Sequence, residues 1–309
     1  MQFLFGGLFL GWALGANDAS NVFGTAVASG IVRFRNAAVI CSAAIILGAM
    51  LQGQNCMHTV SNLSEQTAMT LLIGSFAAAV TVTMMICLKL PISAAQAVIG
   101  AVSGVGLAAG TMNWSGLEKI MICWIATPIG ALILACVIYK ILAQCMMRIP
   151  MSMLTRDKIL WGGLLIVGAY GSYALGANGV ANAVGMFSGR VPGFSDSQLA
   201  FLGGIAIAGG VITFGKRMMF AVGDGLMRLD AFSAFTAVFA MAVTLHVFAF
   251  VGVPVSARQA IIGAILGVGL MRGVHTLRFK ALGTIGVGWF ITPAISLILA
   301  AAGVAIFCR

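Results

Sequence analysis

Two short polar phrases interrupt a chain of 309 residues that is otherwise apolar: GANDASNVFG at 15–24 and GANGVANAVG at 176–185. Asn17, Asp18 and Asn21 in the first phrase, and Asn178 and Asn182 in the second, bring side-chain oxygens together. Such oxygens suit a hard monovalent cation, because carboxylate and carbonyl groups are ligands for hard ions. A second pair of phrases has a different chemistry. PISAAQAVIG at 91–100 and PVSARQAIIG at 254–263 each begin with proline and place a serine two residues later. Pro91 and Pro254 are expected in the first turn of a helix, where a missing N–H costs nothing. Ser93 and Ser256 then present hydroxyls at two helix N-termini, whose free N–H groups and partial positive charge suit an anion.

The charge inventory narrows the field further. Of seven acidic residues only Asp18 falls inside an apolar segment and away from its ends, and of seventeen basic residues only Arg258 does so. A charge within a bilayer costs at least ~2.5–3.5 kcal/mol on insertion scales, so it marks a functional position by default. The bland reading makes the two a buried ion pair that fixes packing, and the asparagines interhelical glue. Against it, both charges sit in phrases already marked by repetition and glycine.

These phrases need elements to position them, and the composition says which. Hydrophobic residues make up 61% of the chain and charged residues 8%, against about 25% charged in soluble domains. Apolar runs long enough to span recur from end to end, at 2–31, 36–53, 68–90, 91–110, 117–143, 159–189, 197–214, 231–253, 254–271 and 281–307. The expectation is an all-α polytopic membrane protein with ten to twelve membrane segments. The segments 2–31 and 159–189 exceed one ~20-residue span. Each is interrupted at its GAN phrase, which predicts broken or re-entrant helices there. Backbone that leaves a helix within lipid must be buried in protein or line a wet cavity. The first apolar stretch lacks a basic flank and runs straight into the polar phrase, so it reads as part of the fold and not as a cleaved signal.

The chain is written twice. GAN at 15–17 returns at 176–178, PISAAQAVIGAVSGVGL at 91–107 returns as PVSARQAIIGAILGVGL at 254–270, and WIATP at 124–128 returns as WFITP at 289–293. Three markers in one order, at offsets of 161, 163 and 165, define a first repeat at 1–145, a basic linker at 146–158 and a second repeat at 159–309. An odd number of crossings per half sets the halves in opposite orientation, the inverted-topology arrangement of secondary transporters.

Several other chemistries are set aside. The net charge of +10 lies in short connections such as Arg33 with Arg35 and Arg156 with Lys158. That is a positive-inside pattern and not a nucleic-acid patch. Seven cysteines have no CxxC spacing, and His58, His246 and His275 form no metal-spaced pair. GVITFGKR at 210–217 approaches a phosphate loop, but Arg217 stands where a magnesium-binding hydroxyl belongs. An enzyme lacks its nucleophile and base. An anion channel, the more distant alternative, wants a continuous polar lining in place of a few repeated points.

At these residues the sequence resembles the inorganic phosphate transporter (PiT) family, which includes phosphate and sulfate permeases. Its signature is a GAND-type phrase in each half followed by a P-x-S-T-T-H-type phrase. TFGKRMMFAVGDGLMRLD at 213–230 also looks like the family's second-half connection. The resemblance implies cation-coupled symport of inorganic phosphate by alternating access, with Na+ or H+ as coupling ion and no other cofactor. It implies an integral protein of the bacterial plasma membrane, compatible with a homodimer. Carried over by position, Asp18, Ser93, Ser256 and Asn178 go towards the anion, with Arg258 added by this sequence. Asn17, Asp18, Asn21, Asn178 and Asn182 go towards the coupling cation. Gly179 stands where the second acid belongs, and SAAQ (93–96) and SARQ (256–259) replace Ser-Thr-Thr-His. One carboxylate lost and one guanidinium gained moves the local charge by about +2, and the guanidinium presents its charge to the anion as a sodium ion does. A donor-rich site also keeps sulfate open as the alternative substrate, since sulfate has no proton to give.

Overall fold

The computed structural model describes residues 4–28, 30–87, 93–150, 152–222, 229–273 and 279–308. Ten α-helices account for nearly all of them: α1 Leu4–Ala28, α2 Phe34–Ser61, α3 Ala68–Cys87, α4 Ala94–Ala109, α5 Trp114–Arg148, α6 Met153–Val184, α7 Asp196–Val222, α8 Ala231–Val251, α9 Ala257–Arg272 and α10 Phe279–Phe307. Seven of these are long and apolar enough to cross a membrane; α1, α4 and α9 fall outside that set. At 16 residues, α4 and α9 reach only ~24 Å at 1.5 Å per residue, short of a ~30 Å hydrocarbon core. They are half-helices. The stretch 146–158 contains the end of α5 and the start of α6.

The helices break elsewhere than the glycines suggest. α1 runs unbroken through Gly15–Gly24, and α6 runs unbroken through Gly176–Asn182. The expected interruption at the GAN phrases is absent. Their glycines serve close approach instead. A Cβ on Gly15 would collide with the Ile207 carbonyl of α7, and one on Gly176 with the Ile45 carbonyl of α2. The chain leaves the helix after Val251. Gly252 takes a left-handed conformation (φ 78°) as the C-cap of α8, and 252–256 form a buried turn before α9. Pro254 therefore lies two residues ahead of the N-cap Ser256 and not in the first turn, because the serine hydroxyl holds the cap position. Pro91 lies outside the described residues, and α4 begins after the same serine cap at Ser93.

Packing follows the written repeat. α1 packs along α7 and α6 along α2; α4 packs along α10 and α9 along α5. Counterpart glycines make counterpart seams. Gly48 abuts the Tyr173 carbonyl as Gly210 abuts that of Trp12; Gly100 abuts Pro293 as Gly263 abuts Pro128; Gly104 abuts Leu297 as Gly267 abuts Leu132. α1 and α6 run antiparallel: Gly7 lies against Ala183 and Phe187 at one end, and Trp161 Nε1 donates to the Ile31 carbonyl at the other (2.7 Å). α1 thus has its counterpart α6 pointing the opposite way.

Arg190, which the sequence did not single out, ties one end together. Its guanidinium donates to the carbonyls of Ser61 (2.6 Å), Ser64 (2.8 Å) and Met186 (3.2 Å), stopping the otherwise orphaned end of α2. Orphan carbonyls at a helix C-terminus need such donors.

The seams give a stability prediction. Gly15→Ala and Gly176→Ala force two backbones apart and are each expected to cost about 2 kcal/mol or more, in the upper range for overpacking. Gly179→Ala, where a Cβ meets open space, should change stability by less than about 1 kcal/mol, the helix propensity difference. Thermal unfolding of detergent-purified protein checks both.

Candidate functional site

The two serine tips come together. Asp18, Ser93, Asn178, Asn182, Ser256 and Arg258 line one small interior cavity, together with Ala94, Ala95, Gly179 and Ala257. Elements from both halves of the chain meet there: α1 and α6 bring the GAN phrases, and the caps of α4 and α9 bring the serines. The water-accessible volume is about 10 Å³, close to the room one water needs. In this conformation the polar walls nearly touch.

Each serine caps its own helix and keeps a donor in reserve. Ser93 Oγ accepts from the Gln96 N–H (3.4 Å) and Ser256 Oγ from the Gln259 N–H (3.3 Å). A hydroxyl has one O–H and two lone pairs, so capping leaves the O–H for a ligand. The N–H groups of the first two helical residues, Ala94 and Ala95 on α4 and Ala257 and Arg258 on α9, are not consumed by these caps. With the helix dipole behind them they form two facing anion-receptive ends.

The two intramembrane charges sit on this cavity, joined through an amide. Arg258 Nη2 donates to Asn17 Oδ1 at 2.6 Å, and Asn17 Nδ2 donates to Asp18 Oδ1 at 3.1 Å. Among the described residues Asp18 and Arg258 form no direct ion pair, whereas His58 pairs with Asp196 and Arg272 with Asp230. Ser20 Oγ donates to the Asn17 carbonyl (2.5 Å) and so braces the same turn of α1. Asn17 is thus a bridge, with both ends of its amide in use.

The second GAN phrase does different work. Asn178 Nδ2 donates to the Val253 carbonyl (3.3 Å), and Asn178 Oδ1 accepts from the Val255 N–H (3.0 Å). Its side chain clamps the buried turn that carries Ser256 and Arg258. Among the described residues, Asn182 Oδ1 (residue 3% exposed) has no partner, whereas in Asn21, at 9%, it is the Nδ2 that has none. Buried polar atoms are rarely left unpaired, so these two are poised for a ligand. The structure brings Asn17, Asp18, Asn178, Asn182, Ser93, Ser256 and Arg258 to one locus; Asn21 lies one turn along α1 from Asn17 and is not among the cavity's lining residues.

Two further side chains went unremarked in the sequence. Gln96 and Gln259 hold the capping-box position three residues after each serine, where a side chain ordinarily bonds back to the cap. Here both Oε1 atoms are buried without a partner among the described residues. The S-x-x-Q spacing in both copies was the signal. Among the described residues, no group of three or more His, Cys, Asp or Glu side chains gathers as a metal site.

Comparison with known proteins agrees with this architecture. A family model described as "Phosphate transporter family" matches residues 14–300. A protein of Methanocaldococcus jannaschii bearing the name "Putative phosphate permease" is 32% identical over 292 residues, spanning 94% of this chain and 92% of its own. A like-named protein of Pyrococcus furiosus is 27% identical over 380 residues, with the same coverage. Among solved structures, one titled "The sodium-dependent phosphate transporter" superposes with a TM-score of 0.85 at 20% identity, covering 100% of this chain and 99% of that one.

Proposed function

The chain belongs to the phosphate transporter family, and from that premise we propose that it is a secondary active carrier of inorganic phosphate, coupled to Na+ or H+. The single observation that supports this most is the shared cavity: two serine-capped helix ends, Asp18 and Arg258 all line it. Phosphate near neutral pH is an acceptor over most of its surface and a donor at its remaining proton. The serine hydroxyls, the helix N–H groups and Arg258 supply donors; Asp18 supplies the acceptor. Asp18, Asn21 and Asn182 supply the oxygens beside which a coupling cation sits, while Asn17 and Asn178 hold Arg258 and the Val253–Val255 turn in place.

Transport follows from how the helices group. α1, α2, α6 and α7 pack together; α3, α4 and α10 form one flanking set, and α5 and α9 the other, with α8 bridging that set to α6. Each serine tip belongs to a flanking set and each GAN phrase to the central four. Rocking the flanking sets against the centre opens the cavity to one side and then the other, as in carriers built from inverted repeats. The repeats are taken as 1–145 and 159–309, joined by 146–158. The protein is integral to the membrane, and its charge supports an orientation. Arg33, Arg35, Arg148, Arg156, Lys158 and Arg272 gather at the end marked by the Trp161–Ile31 bond, whereas Glu65, Glu118 and Asp196 lie at the Arg190 end. Basic ends face the cytoplasm, so this one does in a plasma membrane.

The test is uptake of radiolabelled phosphate into proteoliposomes under an imposed sodium or proton gradient, with unlabelled sulfate as competitor. Saturable, gradient-driven phosphate accumulation is expected, with sulfate competing at least about tenfold more weakly, a gap of ~1.4 kcal/mol. Equal or stronger competition by sulfate would move the assignment to a sulfate permease, and flux without saturation would move it to a channel.

A further inference from the structure

We propose that Arg258 is a tethered counter-cation. Its guanidinium takes the place of one dissolved coupling cation beside Asp18, so that the site binds a doubly charged oxyanion in a medium free of sodium. This rests on reading the cavity as the oxyanion site, and it goes further by assigning the source of the compensating charge.

Position carries the first part. An amide oxygen next to a carboxylate is a ligand pair for a hard cation. At this cavity that pair is Asn17 Oδ1 and Asp18 Oδ1, linked through the Asn17 amide itself. The guanidinium of Arg258 already holds the amide oxygen at 2.6 Å. A pair kept only for packing would close directly, acid to base. Here the two charges are joined through an intervening side chain and both line the cavity, so each retains a face for a ligand.

Symmetry carries the second part. The counterpart of Asp18 in the second GAN phrase is Gly179, and the counterpart of Arg258 in the first serine phrase is Ala95. Both counterparts line the same cavity. Acid and base therefore stand together on one side of the pseudo-two-fold arrangement and are missing together on the other. Each side is electrically balanced by itself. A Cβ on Gly179 would meet nothing within 4 Å, so helix packing does not by itself require glycine there.

Charge accounting gives the consequence. Asp18 and Arg258 sum to zero, and two helix N-termini add about +0.5 each. A doubly charged phosphate then leaves about −1, which one dissolved cation neutralises, a proton serving where sodium is absent. Without the guanidinium the deficit is about −2 and needs two. The tethered charge also differs in kind: it does not dissociate, does not cross with the substrate and does not depend on external sodium.

Equilibrium binding of radiolabelled phosphate to purified protein, in sodium chloride and in choline chloride of equal ionic strength, tests this. The wild type should weaken by less than about tenfold in choline, and Arg258→Lys, which keeps the charge, should behave alike. Arg258→Gln should bind about 100-fold or more weakly in choline and recover at least about tenfold when sodium or guanidinium chloride is added. A wild-type loss of about tenfold or more in choline overturns the proposal, as does Arg258→Gln binding like the wild type there. Should Arg258→Gln fail to purify, the wild-type comparison decides alone. A wild type that binds neither phosphate nor sulfate in any salt would instead remove the oxyanion reading beneath it.

Discussion

Asp18→Asn is expected to lower phosphate uptake by about 100-fold or more, in protein that still inserts and purifies as a single species. Removing one partner of a buried charge pair costs about 3–5 kcal/mol, because the other charge is left uncompensated. In this protein the charge left alone is Arg258, which reaches Asp18 through the Asn17 amide. The substitution is isosteric, so packing of α1 against α7 should survive. What disappears is the only carboxylate that lines the cavity among the described residues, and with it the acceptor for a protonated phosphate oxygen. Initial rates in proteoliposomes, alongside thermal melting, separate the two effects. Uptake within a few-fold of wild type at unchanged stability would remove Asp18 from the substrate path.

Asn178→Ala should be nearly as severe and for another reason. It strips both bonds from the turn at Val253 and Val255 and leaves a buried carbonyl and a buried N–H unpaired, at about 1–3 kcal/mol each. Both uptake and melting temperature should fall, uptake by about 30-fold or more, since the turn carries Ser256 and Arg258 and small displacements of positioning groups are costly. Asn182→Ala is the control. Its Oδ1 has no partner among the described residues, so uptake should fall while stability is spared. If both variants melt like the wild type, Asn178 does not hold the turn.

Much of this was legible in the residues. The apolar excess and the ten segments gave a helical membrane protein, and the repeated phrases gave the pairing of halves. The isolation of Asp18 and Arg258 in apolar surroundings foretold that they meet. The GAN glycines misled, because a glycine permits both unwinding and close approach. Only the partner separates these uses, and Ile207 lies far along the chain from Gly15, as Ile45 does from Gly176. Asn178 was read as a ligand because its chemistry fits one. That its amide is taken up by a turn 75 residues away is a long-range fact that no local pattern carries. Arg190 escaped notice for the same reason: a lone loop arginine reads as solvated until its carbonyl partners, 126 and 129 residues upstream, are known.

The reciprocal seams bear on how the molecule is made. α10 completes the group that contains α3 and α4, and α5 completes the group that contains α8 and α9. Neither copy owns a finished interior: the grooves at Gly48, Gly100 and Gly104 are cut for Tyr173, Pro293 and Leu297, which emerge from the ribosome much later. A nascent first copy therefore waits in the lipid with open grooves until α6 and α10 arrive to fill them. The two copies are braided, so a fault in α10 reaches back to the packing of α3 and α4.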